Sequence, residues 1–253
     1  MEIKIVVATH KQAAMPTDDM YLPLQVGADG KLGLGIQRDD VGENISDKNK
    51  DYCELTGLYW AWKNLDYEYL GLVHYRRYFK RSGTMFRRNK PWAQIASHSD
   101  IENLLYMAPV ILPKKRNYYI ESIYNQYAHA HRQRDLDMVG EVIREKYPEC
   151  AKSFDSLKSK TSAHMFNMFV MRKDYFDNYC RWLFDILFSL EEKLQGRYEP
   201  RLFGFISERL LDVWLESRRV PYVEQDIVAF GVDNVFIKGA RLVGRKIKAG
   251  LGV

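Results

Sequence analysis

The sequence predicts an α/β fold with a mostly parallel central sheet, and three observations carry that expectation. Tyr69-Leu70-Gly71-Leu72-Val73 is apolar without alternation, the mark of a strand covered on both faces, as in parallel sheets. Comparable runs recur at 3–9, 109–113 and 165–171. Segments of helical period separate them, so strands and helices alternate from the first element onward. Finally, 253 residues with 46% hydrophobic side chains suffice to bury the core of one large domain, or of a domain with a subdomain.

Element by element, residues 3–9 form a strand with Thr9, His10 and Lys11 at its carboxyl end. A Gly-, Asp- and Pro-rich segment follows from 12 to 48, long enough to imply a functional loop. Asn49-Lys50-Asp51 supplies capping residues for a helix over 52–64. The 69–73 strand then runs into His74-Tyr75-Arg76-Arg77-Tyr78-Phe79. Residues 80–92 read as a basic loop, 99–106 as a short helix and 109–113 as a strand. Helices are expected at 119–130 and 135–147, a loop at 148–163, and a strand at 165–171. Asp174 is placed as the cap of a long amphipathic helix through Phe176, Cys180, Leu183, Leu187 and Leu190. A further helix covers 201–217, and Tyr222-Val223 forms a last short strand. The division expected is a single domain over 1–233, with a nucleotide-binding half (1–112) and an acceptor half (113–233), followed by a basic tail (234–253).

Composition narrows the function classes. The net charge of +5 is spread along the chain, which favours anionic ligands or a membrane surface over nucleic acid. Cys53, Cys150 and Cys180 are odd in number and widely spaced, pointing to a reducing compartment. The N-terminus reads as a strand rather than a signal peptide, and no run of about 18 apolar residues occurs, so a cytoplasmic protein is expected. In the tail, Phe236, Ala240, Val243, Ile247 and Leu251 share one helical stripe, with Lys238, Arg241, Arg245 and Lys248 away from it. That is the pattern of a helix at an anionic membrane interface. Leu242 and four glycines oppose it, leaving a frayed basic terminus as the alternative.

The chemistry-bearing residues form three groups. His10 and Lys11 close one strand and His74, Arg76 and Arg77 another. In open α/β sheets ligands bind at these carboxyl ends, and clustered guanidinium groups suit a phosphate or diphosphate. An interdomain ion-pair patch is the competing reading. No P-loop or Gly-x-Gly-x-x-Gly follows the first strand. Asp135 and Asp137 form an Asp-x-Asp able to hold Mn²⁺ or Mg²⁺, although carboxylates at a helix start are favoured by its dipole anyway. His129, His131 and Asp135 are possible zinc ligands; His98 and His164 fit no pattern. For a general base, Glu208 lies early in its helix beside Phe205, with Glu54 the second candidate.

Four blocks, Cys53–Asn64 (CELTGLYWAWKN), His74–Phe79 (HYRRYF), Asn167–Met171 (NMFVM) and Phe203–Leu210 (FGFISERL), together resemble a formerly uncharacterised bacterial family of glycosyltransferases from capsule, exopolysaccharide and O-antigen gene clusters. The resemblance spans about residues 3–230. It implies a GT-A-like nucleotide-binding sandwich that transfers a sugar, often galactose in pyranose or furanose form, from a UDP donor to a polyprenyl-linked oligosaccharide. By this likeness Thr9, His10, Lys11, Asn44, Asn49 and Thr56 hold nucleotide, Asn167 contacts donor or acceptor, and Glu208 is the base of inverting members. The His74–Arg77 block stands where many GT-A enzymes place a metal-binding Asp-x-Asp, so no metal cofactor is firmly expected.

The function expected is therefore transfer of a sugar from UDP, with His74, Arg76 and Arg77 at the departing diphosphate, Glu208 as base, and Tyr75 among the aromatics shaping the pocket. A peripheral location at the inner face of the membrane follows if the tail binds lipid. The alternatives are a non-catalytic sugar- or nucleotide-binding module, and a metal hydrolase built on His129, His131 and Asp135.

Overall fold

The apolar run at 69–73 becomes the middle of the sheet. A computed structural model describes residues 1–83 and 92–231, so the basic tail and most of the 80–92 loop lie outside the described residues. The strands are β1 (Ile3–Thr9), β2 (Tyr21–Gln25), β3 (Gln37–Arg38), β4 (Tyr69–His74), β5 (Arg77–Phe79), β6 (Val110–Pro113), β7 (Arg116–Asn117), β8 (Ser162–Ala163), β9 (Phe169–Arg172), β10 (Val223–Gln225) and β11 (Ile227–Ala229). The helices are α1 (Asn49–Tyr52), α2 (Leu55–Asn64), α3 (His98–Leu105), α4 (Ile123–Ala130), α5 (Gln133–Lys146), α6 (Ala151–Asp155), α7 (Lys173–Leu194) and α8 (Leu202–Ser217).

The main sheet runs β10-β6-β9-β4-β1-β2-β3. β1 pairs in parallel with β2 and β4, β2 with β3, and β6 with β10, whereas β9 runs against both neighbours. The sheet is thus mostly parallel, as expected, and strands from both proposed halves share it. Alternate residues of β1 serve opposite cores. Val6 and Ala8 face the larger one with α2, α5, α7 and α8, while Ile3, Ile5 and Val7 face a smaller one containing Ile101 and Leu105 of α3. Double-sided burial explains the absence of alternation in the β1 and β4 sequences. Among the described residues no helix is long and apolar enough to cross a membrane.

Several boundaries differ from expectation for identifiable reasons. The helix placed at 52–64 is broken at Cys53, whose φ of 53° and ψ of −130° lie outside the helical region. The 12–48 segment contains β2, β3 and a single helical turn; these strands are too short for a periodic signal. Residues 148–163 hold α6, two single turns and β8 rather than a loop. Pairing of β7 with β8 delays the helix expected at 119 until Ile123. The strand expected at 165–171 begins only at Phe169. Arg172, not Asp174, precedes the long α7; Asp174 sits in its first turn and accepts two hydrogen bonds from the Arg172 guanidinium, each at 2.8 Å. Tyr222, expected in a strand with Val223, lies just outside β10, which starts at Val223, and β11 gave no sequence signal.

Two constraints position the site. The first is Asp39, fully buried, whose carboxylate accepts from Gly27 N–H (2.8 Å), Ala28 N–H (2.9 Å), Ser46 Oγ–H (2.5 Å) and Thr56 Oγ–H (2.7 Å). It ties the loop after β2 to the start of α2. Gly27, at φ 59°, leaves room there for Asn49, which would stand 2.4 Å from any Cβ. The second is a C-terminal strap, residues 223–230. β11 pairs with β5 so that Ala229 faces Arg77, and Phe230 N–H donates to the Arg76 carbonyl at 2.8 Å. At the other end of the strap, Glu224 accepts from His164 Nε2 at 2.9 Å, and His164 also meets Asp212 of α8 through its Nδ1. Burial would push the Asp212 carboxyl up, but the bonds from His164 hold it below the usual range. Asp39→Asn sets an amide N–H against buried donors. It is expected to destabilise the fold by about 2–4 kcal/mol, read as a lower urea midpoint at unchanged slope.

Candidate active site

A cleft of about 630 Å³ opens at the carboxyl ends of β1 and β4. It draws Thr9 and His10 from the end of β1, His74 to Arg77 from the β4–β5 turn, and Asn49, Lys50, Cys53 and Glu54 from α1 and its junction with α2. Phe166 lies on the far wall with Arg201 and Glu208 of the α8 region. β4 ends at His74, which pairs antiparallel with Arg77, so Tyr75 and Arg76 form the tip of a two-residue turn. The arginines therefore sit on a hairpin rather than on the strand end itself.

Aromatic rings steer these cations. The Arg76 guanidinium lies 5.0 Å from the Tyr75 ring centroid, and Arg77 lies 4.4 Å from that of Phe166. His10 meets Tyr75 edge-on at 5.5 Å. Arg201, in a left-handed conformation at φ 70°, reaches over Phe205 at 5.2 Å. None of Lys50, Arg76, Arg77 and Arg201 has a carboxylate partner among the described residues. Burial pulls the Arg77 guanidinium below its usual range, with Glu208 and Glu54 opposing that effect. Burial, then Lys11 and Arg76, push His10 down.

The acidic wall is built around a turn. Phe166 (φ 81°) and Asn167 (φ 50°) are consecutive left-handed residues immediately before β9, a conformation that costs non-glycine residues free energy and clusters at functional sites. Phe166 N–H donates to Glu208 Oε1 at 3.1 Å, and His74 Nε2–H donates to the Phe166 carbonyl at 2.7 Å. Asn167 Nδ2–H donates to Glu54 Oε1 (2.6 Å) and to the Gly204 carbonyl (3.3 Å), while its Oδ1 accepts from Ser207 Oγ–H (2.9 Å). Glu208 Oε2 accepts from Arg209 Nη1–H at 2.9 Å. Burial pushes the Glu208 carboxyl above the usual range; Arg209 opposes this and the nearby Glu54 reinforces it.

The cleft thus gathers Thr9, His10, Asn49, Glu54, His74, Tyr75, Arg76, Arg77 and Glu208. Asn167 stands behind it, buried. Thr9 is also largely structural, its Oγ–H donating to the Lys11 carbonyl at 2.6 Å. Three further expected residues are not on its wall. Lys11 lines a neighbouring hollow with Leu34 and Ile36. Asn44 closes its own loop through Gly42 and Ser46. Thr56 is buried against Asp39 and Asn49. Arg201, Phe166 and Asp39 escaped sequence reasoning. Arg201 lies between helices at an unsignalled left-handed residue, and only the polar Asn167 interrupting an apolar run marked the turn. Cys53 also lines the cleft, with its thiol pushed up to about 11 by burial.

The metal expectations fare differently. His129 is exposed beside Glu121, His131 stacks on Phe205 with centroids 4.2 Å apart, and Asp137 accepts from the Tyr124 hydroxyl. Asp135 is buried without either histidine as partner. Among the described residues no three His, Cys, Asp or Glu side chains gather as a metal site, so the hydrolase constellation is not assembled.

Fold and cleft together define an α/β protein with a cleft at the strand ends, the usual position of ligands in open parallel sheets. The chain belongs to the family described as a domain of unknown function, DUF4422, which matches residues 4–219. It is similar to an apo structure of WbbM, a bifunctional glycosyltransferase, with 27% identity and a TM-score of 0.83 over 93% of this chain. The chain spans about half of that protein, 48% of its length. No curated protein matches it.

Asn167→Asp would set a second carboxylate 2.6 Å from Glu54 Oε1. It is expected to cost about 2 kcal/mol at pH 7. Like charges raise the folded-state pKa of the pair, so the loss should be present above the ordinary carboxylate range and shrink as pH falls. Thermal melts across pH 4–8 would read it.

Proposed function

We propose that the protein is a glycosyltransferase that takes a nucleoside-diphosphate sugar as donor and neutralises the leaving diphosphate with side-chain cations. The observation that carries this reading is the cleft itself: Lys50, Arg76, Arg77 and Arg201, none with a carboxylate partner among the described residues, border one cavity together with Glu208. Similarity to a glycosyltransferase over 93% of the chain supports the reaction class. The family resemblance carries the finer choices: UDP as nucleotide, galactose as sugar, a polyprenyl-linked oligosaccharide as acceptor, a place in surface polysaccharide synthesis, and inversion at the anomeric carbon.

In this mechanism the acceptor hydroxyl oxygen attacks the anomeric carbon while the bond from that carbon to the diphosphate oxygen breaks. Glu208 receives the hydroxyl proton. Each of its oxygens already accepts one hydrogen bond, from Phe166 or Arg209, and retains a lone pair for this task. Negative charge grows on the diphosphate, where fixed guanidinium groups stabilise it more in the transition state than in the ground state. The raised pKa of Glu208 strengthens it as a base near neutral pH.

Isothermal titration with UDP, with and without EDTA, is the direct test. Binding is expected in both conditions; no binding, or binding abolished by EDTA, would refute the cationic site. Arg77→Ala should weaken UDP binding by about 10–150-fold, corresponding to about 1.5–3 kcal/mol for a charged hydrogen bond.

Glu208→Gln is expected to lower turnover by at least about 10²-fold at little cost in UDP affinity, whereas unchanged activity would favour the binding-module alternative. Because the Glu208 pKa is raised, activity should climb with pH through a limb lying above the usual glutamate value, and the variant should lack that limb. The same shift has a stability sign. Between the ordinary and the raised pKa the folded state holds the extra proton, so stability falls as pH rises through that window.

A further inference from the structure

The transferase reading accounts for the cleft but not for residues 114–120, the segment between β6 and α4. Here Tyr119 is 80% and Ile120 70% exposed, an aromatic and an aliphatic side chain together in water. Tyr119 also adopts φ 58°, which a bulky residue takes at a cost that Gly or Asn would largely escape. The segment is fixed from both sides. Arg116 and Asn117 pair with β8, Tyr118 N–H donates to the Thr161 carbonyl (2.8 Å), and Tyr119 N–H donates to Asn117 Oδ1 (2.8 Å). An exposed apolar tip held in a strained, well-braced turn is selected for its side chains rather than for the fold.

The surrounding charge identifies what it meets. Acids near the tip are engaged: Asp226 with Lys114, Glu216 with Lys160, Glu121 with His129, and Glu224 with His164. Lys115, Arg116 and Lys158 have no carboxylate partner among the described residues, and Arg116 and Lys158 lie over the rings of Tyr118 and Tyr124. Cations ringing an aromatic and aliphatic tip match a bilayer with anionic headgroups, where Tyr rings sit at headgroup depth and Lys or Arg meets phosphate.

We propose that residues 115–120 form a membrane-contacting tip that seats the protein on an anionic lipid surface. The segment leads into α4, whose Gln126 accepts from Arg209 Nη2–H at 2.6 Å, and Arg209 Nη1–H in turn holds Glu208 Oε2 at 2.9 Å. On the transferase reading, on which this consequence rests, the tip presents the Glu208 side of the cleft to an acceptor carried in the bilayer.

Co-sedimentation of the full chain with vesicles of phosphatidylglycerol and phosphatidylcholine, and of phosphatidylcholine alone, tests the tip. The chain should partition onto the anionic vesicles, more weakly as salt rises. The double variant Tyr119→Asn, Ile120→Ser should bind at least about tenfold more weakly, with an equal or higher melting temperature because asparagine suits the left-handed turn. Its UDP affinity should be unchanged. Failure of the parent chain to bind, or equal binding by the variant, would overturn the proposal; the second result would assign the contact to another segment. UDP titration is read separately, so loss of the donor assignment and loss of the tip are distinguishable.

Discussion

The site hangs on one turn. Phe166 and Asn167 stand in consecutive left-handed conformations, and their polar atoms join β4, the start of α2 and α8. The Phe166 carbonyl holds His74 of β4, its N–H holds Glu208 of α8, and the Asn167 amide spans Glu54, Gly204 and Ser207. Strain in two residues is offset by five hydrogen bonds in a largely buried setting, where leaving any partner unmatched is costly. Moving the turn would shift the His74 hairpin and the Glu208 helix together, so the basic and acidic walls keep a fixed separation.

Electrostatics then sets what the cleft can hold. Four cations with no carboxylate partner among the described residues create a region suited to concentrated negative charge. Two glutamates of the same cleft are each held by neutral or cationic donors, and burial makes Glu208 reluctant to ionise. An anion held by the cations leaves the Glu208 carboxylate free to act on a proton. This is the arrangement expected where a leaving group gains charge while a nucleophile loses hydrogen.

Much of this was legible in the chain. Double-sided burial wrote itself into 69–73 as a run without alternation, and the polar cluster following it marked the cleft. The early position of Glu208 on an amphipathic helix was equally readable. What escaped depended on backbone rather than side-chain pattern. Cys53 breaks a helix at a position that no glycine or proline marks, and Met165–Met168 look like strand until the left-handed pair is seen. Arg201, expected as the first residue of a helix over 201–217, instead precedes α8 in a left-handed conformation that no side-chain pattern signals. Asp39 lay within a stretch read as loop, and its importance comes from donors distant in sequence. Asn44 and Thr56 were credited with ligand contacts by motif, whereas each satisfies nearby polar groups of the fold.

The strap formed by residues 223–230 lies beyond the stretch matched by the family, which closes at residue 219, yet it grips the hairpin bearing Arg76 and Arg77. The two guanidinium groups therefore lean on a length of backbone remote from them in sequence, and whatever unseats that length also loosens them.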